Sequence, residues 1–198
     1  MTTLYANGRL DTPSGLKVAP QSYASLEQVA ADLQKILPLA RGERYRLDCW
    51  KVLEQTLQKA GLQLKVVELE DLDECAAFTI PERGVVVFRE DIYEMVLSEH
   101  VFGRSTVIHE TSHIVLKHAV TLHRGAKLGE HRFCEDSEWQ AKALTAATMM
   151  PLAACKNARS PENLAEMCGT SVQAASYRLG RLTKDGLITR QKSFWEVT

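Results

Sequence analysis

The 198-residue chain has no C-x-x-C pair and no even set of cysteines, only Cys49, Cys75, Cys134, Cys155 and Cys168. That odd, scattered set excludes a disulfide framework and reads as reduced thiols in a cytoplasmic protein. An excess of one charge is also missing. Lys+Arg is 24 against Asp+Glu 25, a net charge of -1, which argues against a general polyanion coat while leaving room for a local basic face. No run is long enough to cross a membrane. The longest mostly apolar stretch, Ala143 to Cys155, is interrupted by Thr145, Thr148 and Pro151 and falls short of a bilayer. The start, MTTLYANGRLD, has no apolar h-region, so no secretory signal is expected. Repeats and low-complexity segments are absent as well.

What is present suits one or two packed domains: hydrophobic residues make up 45% and charged residues 25%. Residues 1–22 carry Gly, Pro and Ser without periodicity and read as an arm. Ser25 with Gln28 forms a capping box before Leu26, Val29, Ala30, Leu33 and Leu37 at helical spacing. A second helix places Leu47, Trp50, Leu53 and Leu57 on one stripe and ends at Gly61. Leu62, Leu64 and Val66 alternate with polar residues as in a half-buried strand. Ala76–Ile80 and Gly84–Phe88, joined through Pro81, read as a hairpin whose first strand is a candidate substrate-pairing edge. A helix is expected from about Gly103 to His118, then a mobile loop over 119–135. Ser137 with Gln140 opens a helix that stops at Pro151. Ser160-Pro161 begins another, ended by Gly169. Thr170 with Gln173 caps the last helix, closed by Gly186, and two short strands finish the chain. The division expected is an arm over 1–22, a main domain over 23–155 and a small module over 156–198.

The histidines are concentrated. All six (100, 109, 113, 118, 123 and 131) fall within 32 residues. His109-Glu110-Thr111-Ser112-His113 fits H-E-x-x-H. On a helix, residues four apart lie about 40° apart in azimuth and roughly 6 Å apart along the axis, so both imidazoles can hold one metal with Glu110 beside the attacking water. Val107, Ile108, Ile114 and Val115 surround these polar groups with apolar ones, a setting in which unpartnered imidazole and carboxylate are costly. A catalytic zinc needs a third protein ligand. His118, nine residues after His109, would project from the opposite side of a continuous helix and reads as a packed core histidine. Glu138, in the first turn of the next helix, is placed either as that ligand or merely to complement the helix dipole. For an oxyanion donor the sequence offers Tyr93, His123 and His131.

The surrounding residues carry a resemblance. Gly103-Arg104-Ser105-Thr106-Val107-Ile108 before HETSH, and the run from Glu138-Trp139-Gln140-Ala141 to Met149-Met150-Pro151, resemble the ImmA/IrrE family of zinc metallopeptidases. Leu164-Ala165, Ser171 and Arg178-Leu179 follow in a weaker register, so that the resemblance spans roughly residues 62–182. It implies an α+β, zincin-like domain with a small sheet and an HEXXH active-site helix, followed by a winged-helix-like module. It further implies Zn²⁺ held by His109, His113 and Glu138, Glu110 as general base, and cleavage of a helix-turn-helix repressor or similar protein. Lys142 departs from the family, which has Asn there; an amide could accept a hydrogen bond from a ligand histidine and an ammonium cannot.

The C-terminal module places Arg178, Arg181 and Lys184 at roughly helical spacing, with Arg190 and Lys192 in the expected wing. These bases make DNA a possible partner. Five bases against four acids over 160–198 is weak for nucleic acid, and protein docking or a structural role is the first reading of this segment. Two functions stand: a cytoplasmic zinc endopeptidase, or a DNA-binding or repressor-binding regulator with a structural or vestigial metal site.

Overall fold

The computed structural model describes residues 4–6, 9–11, 15–72, 75–118 and 131–189, the first two segments as backbone alone. Leu4–Ala6 (β1) and Arg9–Asp11 (β2) pair antiparallel. Tyr23–Ile36 (α1) follows, buried along Leu26, Ala30 and Leu33. Cys49–Lys51 (α2), a π-helical stretch Val52–Thr56 and Leu57–Lys59 (α3) make one continuous helical rod. The π turn links Leu57 to Val52 and then Cys49, so these face inward while Trp50 stays 40% exposed. That corrects the expected stripe, which a uniform 3.6-residue period had placed on Trp50.

Gln63–Val67 (β3), Ala77–Ile80 (β4) and Val85–Arg89 (β5) form a three-stranded sheet in the order β3-β5-β4. The β4–β5 hairpin is antiparallel and turns through Pro81–Arg83, with Gly84 at φ 60; β3 lies parallel to β5. Central β5 buries Val86, Val87 and Phe88 in a row, the pattern of a strand covered on both faces. On edge strand β3, Val66 is exposed.

Glu90–Leu97 (α4), which periodicity had not suggested, buries Ile92 and Val96 one turn apart. Val101–Val115 (α5) and Ser137–Met149 (α6) pack against each other in the main core. Leu152–Asn157 (α7), Pro161–Cys168 (α8) and Val172–Lys184 (α9) complete the described chain. Three expected N-caps move. Ser22 rather than Ser25 caps α1, Asp136 rather than Ser137 caps α6, and Ser171 rather than Thr170 caps α9. In each case the side-chain oxygen that accepts the orphan N–H belongs to the last extended residue, and several polar residues near the start compete for that place. Ser160, Pro161 and left-handed Gly169 sit at the ends of α8 as their types require.

The latter part of the arm is strapped to α6. Gly15 donates to the Asp136 carboxylate at 2.8 Å and Leu16 to the Ser137 hydroxyl at 2.9 Å. A Cβ on Gly15 would lie 2.5 Å from the Ser137 oxygen, so this approach requires glycine.

Two buried apolar clusters share the chain. The first is built on α1, the α2–α3 rod, β5, α4, α5 and α6. The second gathers Met150, Ala154, Cys155, Leu164, Ala165, Cys168, Ala175, Leu179, Leu182 and Ile188. All five cysteines are free thiols; burial pushes the Cys49 thiol up to about 11 and the Cys168 thiol up to about 12. Among the described residues no helix is long and apolar enough to cross a membrane. Of the loop expected over 119–135, residues 119–130, with His123, lie outside the described residues, as do the terminal 190–198, with Arg190 and Lys192, while Phe133–Glu135 forms a 3-10 turn. Leu187–Thr189, expected in a strand, is irregular, and Ile188 packs into the second cluster.

Candidate metal centre

Helix α5 turns its apolar side chains Val107 and Ile108 fully into the core, which leaves His109 and His113 on the face toward α6. Their rings meet with Nε2 atoms 3.1 Å apart. Glu138, in the first turn of α6, reaches both: Oε2 lies 3.3 Å from His109 Nε2 and Oε1 3.3 Å from His113 Nε2. The neighbouring imidazoles of His109 and then His113 hold the Glu138 carboxyl far below the usual carboxylate range, against burial. The three side chains that the resemblance implies as ligands are thus brought together, with one ligand atom from each lying within 4.8 Å of the other two.

This donor set fits zinc in size and type. Two ligands about 2.0–2.1 Å from a tetrahedral ion are about 3.3 Å apart, close to the separations here. Two imidazoles and a carboxylate also match the ligand preferences of zinc and other borderline divalent ions. An ion held by these three side chains alone would keep a fourth position for solvent or substrate.

Glu110 is 6% exposed and lines the same cleft as His109, His113 and Glu138. Its Oε2 accepts a 2.7 Å hydrogen bond from the Thr79 hydroxyl of β4. Sequence reasoning missed Thr79, whose role depends on a sheet edge packing against α5 and has no local signature. The Thr111-Ser112 pair is self-satisfied, each hydroxyl donating to a carbonyl one turn earlier, Val107 and Ile108.

The cleft encloses about 810 Å³. One wall is Cys75–Thr79 along β4, which pairs only with β5 in the sheet and so leaves its other edge unpaired among the described strands. Val101, Phe102, Ala146 and Met149 supply apolar surface, and Thr170, Ser171 and Ala174 at the start of α9 close one end. Lys142, exposed and one turn after Glu138, is the sole Lys or Arg among the described lining residues. Two of the three suggested oxyanion donors lie elsewhere. Tyr93 donates to Glu54 at 2.6 Å, and His131 forms a buried pair with Asp136 at 2.9 Å; neither lines the cleft.

His118 is buried, as read from sequence, but it does not point away from His113. Helix α5 ends at Val115, and Lys117 adopts the left-handed region at φ 52. Lys117 N–H returns to Ile114 O and His118 N–H to His113 O, both at 3.0 Å, which is a Schellman end. The reversal folds His118 back, placing its Nδ1 3.0 Å from His113 Nδ1 and its Nε2 3.0 Å from Gln140 Oε1. Burial lowers the His118 pKa below its ordinary value.

Arg178 is not where a free basic face would put it. Arg178 is buried, forms a bidentate pair with Glu27 of α1, and donates from Nε to Met150 O at 3.2 Å. Arg181 stacks over the Tyr23 ring at 3.7 Å and binds Asp185. Of the bases read as possible phosphate contacts, Arg178 is thus an internal strut between α9 and α1, while the Arg181 side chain remains 39% exposed. Lys184 remains exposed, with Gln173, Ser176 and Thr183 on the outer side of α9.

A comparison with curated proteins returned no match. A family described as winged helix-turn-helix DNA-binding matches residues 158–189, the span that holds α8, the turn at Gly169 and α9.

Proposed function

We propose that this protein is a zinc-dependent endopeptidase of the HEXXH-plus-glutamate type, with a zincin-like domain joined to the helix-turn-helix module and a helix-turn-helix repressor or similar protein as substrate. The observation that carries the reading is the convergence of His109, His113 and Glu138 beside Glu110 in the wall of an open cleft. The likeness of both helices to the ImmA/IrrE pattern supports it.

His109, His113 and Glu138 would hold the ion. Zinc bound there supplies Lewis acidity, activating water near neutral pH and polarising the scissile carbonyl. The remaining work falls to the chain. Glu110, oriented by Thr79, takes the proton of the attacking water and passes it to the leaving amine. The free edge of β4 accepts an extended segment of substrate as an added strand, which straightens it across the cleft. Lys142 is the charged donor available to the developing oxyanion.

The test pairs metal analysis with hydrolysis. Purified protein is expected to bind one zinc per chain and to cut a helix-turn-helix repressor; chelation stops the cut and added zinc restores it. Cleavage that persists in zinc-free, chelator-treated protein would overturn the reading.

The second reading is a DNA-binding regulator whose metal site is structural or vestigial, and the family match over 158–189 favours it. It expects duplex binding that weakens with salt and ignores chelator. With Arg178 buried, Lys184→Ala is the variant expected to lower affinity and reduce the salt slope by about 1. An unchanged slope removes Lys184 from the contact.

A further inference from the structure

We infer that His118, itself held by Gln140, is the positioning residue for His113, accepting its Nδ1 proton so that the Nε2 lone pair faces His109 and Glu138. This rests on the metallopeptidase reading and deepens it by assigning a residue that the H-E-x-x-H pattern does not contain.

Donors and acceptors around Gln140 set the direction of each hydrogen bond. Gln140, on α6, is 1% exposed, and its Nε2 donates to two carbonyls, Ala19 O at 2.7 Å and Cys134 O at 2.8 Å. An amide nitrogen has two protons and both are used, so the atom left for His118 is the oxygen Oε1. Oε1 can only accept, so His118 carries its proton on Nε2. In the neutral ring Nδ1 is then a lone pair, 3.0 Å from His113 Nδ1. That contact requires a proton from His113, which leaves His113 Nε2 unprotonated, 3.1 Å from His109 Nε2 and 3.3 Å from Glu138 Oε1. Each link fixes the next, and the first is anchored on the strap at Ala19 and the turn at Cys134.

Two consequences follow. The acceptor that an amide at position 142 could have provided for a ligand histidine is provided for His113 by another ring, so Lys142 leaves this histidine supported. The Schellman reversal at Lys117 also acquires a role, since a helix continued past Val115 would carry His118 away.

Two measurements test the inference. In zinc-loaded wild-type protein labelled with ¹⁵N, a scalar coupling across the His113 Nδ1–H···Nδ1 His118 hydrogen bond is expected, with His118 as the Nε2–H tautomer. Zinc competition against a chromophoric chelator is expected to show His118→Leu binding about 10–100-fold more weakly than wild type. His118→Gln, whose amide oxygen is an acceptor, should recover most of the loss. A His118 ring protonated on Nδ1 alone, or His118→Leu with wild-type zinc affinity, overturns the inference while leaving the peptidase reading standing. If His118→Leu fails to fold, the wild-type spectrum decides. A wild-type protein that binds no zinc overturns both readings, and the competition assay identifies that outcome separately.

Discussion

Glu110→Gln protein is expected to bind zinc as wild type does and to hydrolyse peptide about 10²–10⁴-fold more slowly. The substitution changes little besides charge. Glutamine has nearly the same shape, and its amide oxygen can still accept the Thr79 hydroxyl proton that Glu110 accepts at 2.7 Å. Glu110 is outside the cluster formed by His109, His113 and Glu138, so the ion's grip is preserved. What is lost is a carboxylate that can take a proton from water and deliver it to an amine. Zinc stoichiometry and single-turnover hydrolysis measured on the same preparation separate the two effects. Wild-type turnover by the zinc-loaded variant would remove Glu110 from the role of base, and loss of zinc would show that it holds the site together instead.

The second large effect lies away from the chemistry. Arg104→Met is expected to destabilise the fold by about 3 kcal/mol, within the range for breaking a buried charged network. Arg104 sits on α5, five residues before His109, and its side chain is 1% exposed. From there it donates to Gly169 O at 3.1 Å, Leu47 O at 3.1 Å and Cys168 O at 3.4 Å. Two of those carbonyls belong to the end of α8, where the helix dipole favours a cation. The packing is close as well, because a Cβ on Gly169 would lie 2.8 Å from an Arg104 nitrogen. Methionine keeps most of the volume and removes every donor, leaving three buried carbonyls short of a partner. Lysine would not substitute, since one ammonium cannot span the fork of contacts a guanidinium makes. Urea denaturation followed by circular dichroism measures the change. A shift below about 0.5 kcal/mol, the size of an ordinary surface substitution, would mean that the carbonyls find other donors.

Arg104 and Arg178 together show how the helix-turn-helix span is mounted. One reaches from α5 to the end of α8, the other from α9 to Glu27 on α1. The module is thereby tied to α1 and to α5, the helix of His109 and His113, and its α9 start lines the cleft. A sequence-based reading of Arg178 as a surface base overlooked its position on the same stripe as Ala175, Leu179 and Leu182, all buried. Helical periodicity held that signal. A charged residue on an apolar stripe is either misassigned or paired, and here it is paired with Glu27, 151 residues away.

Local rules were enough for what lies within one or two turns of chain. H-E-x-x-H places two imidazoles together because a helix repeats every 3.6 residues, and Glu138 could be nominated from a motif at the start of the following helix. Glycines with positive φ at 61, 84, 169 and 186 end elements where their missing Cβ permits it. Contacts that depend on where the chain reverses, or on what it meets from far away, were decided by tertiary structure alone. Lys117 is not a glycine, so nothing local announced the turn that folds His118 onto His113. Thr79, Gln140, Arg104 and Glu27 act through partners from 22 to 151 residues distant. The physical reason is that hydrogen-bond satisfaction in a buried site is set by which surfaces pack together, and packing brings together residues that no local period relates.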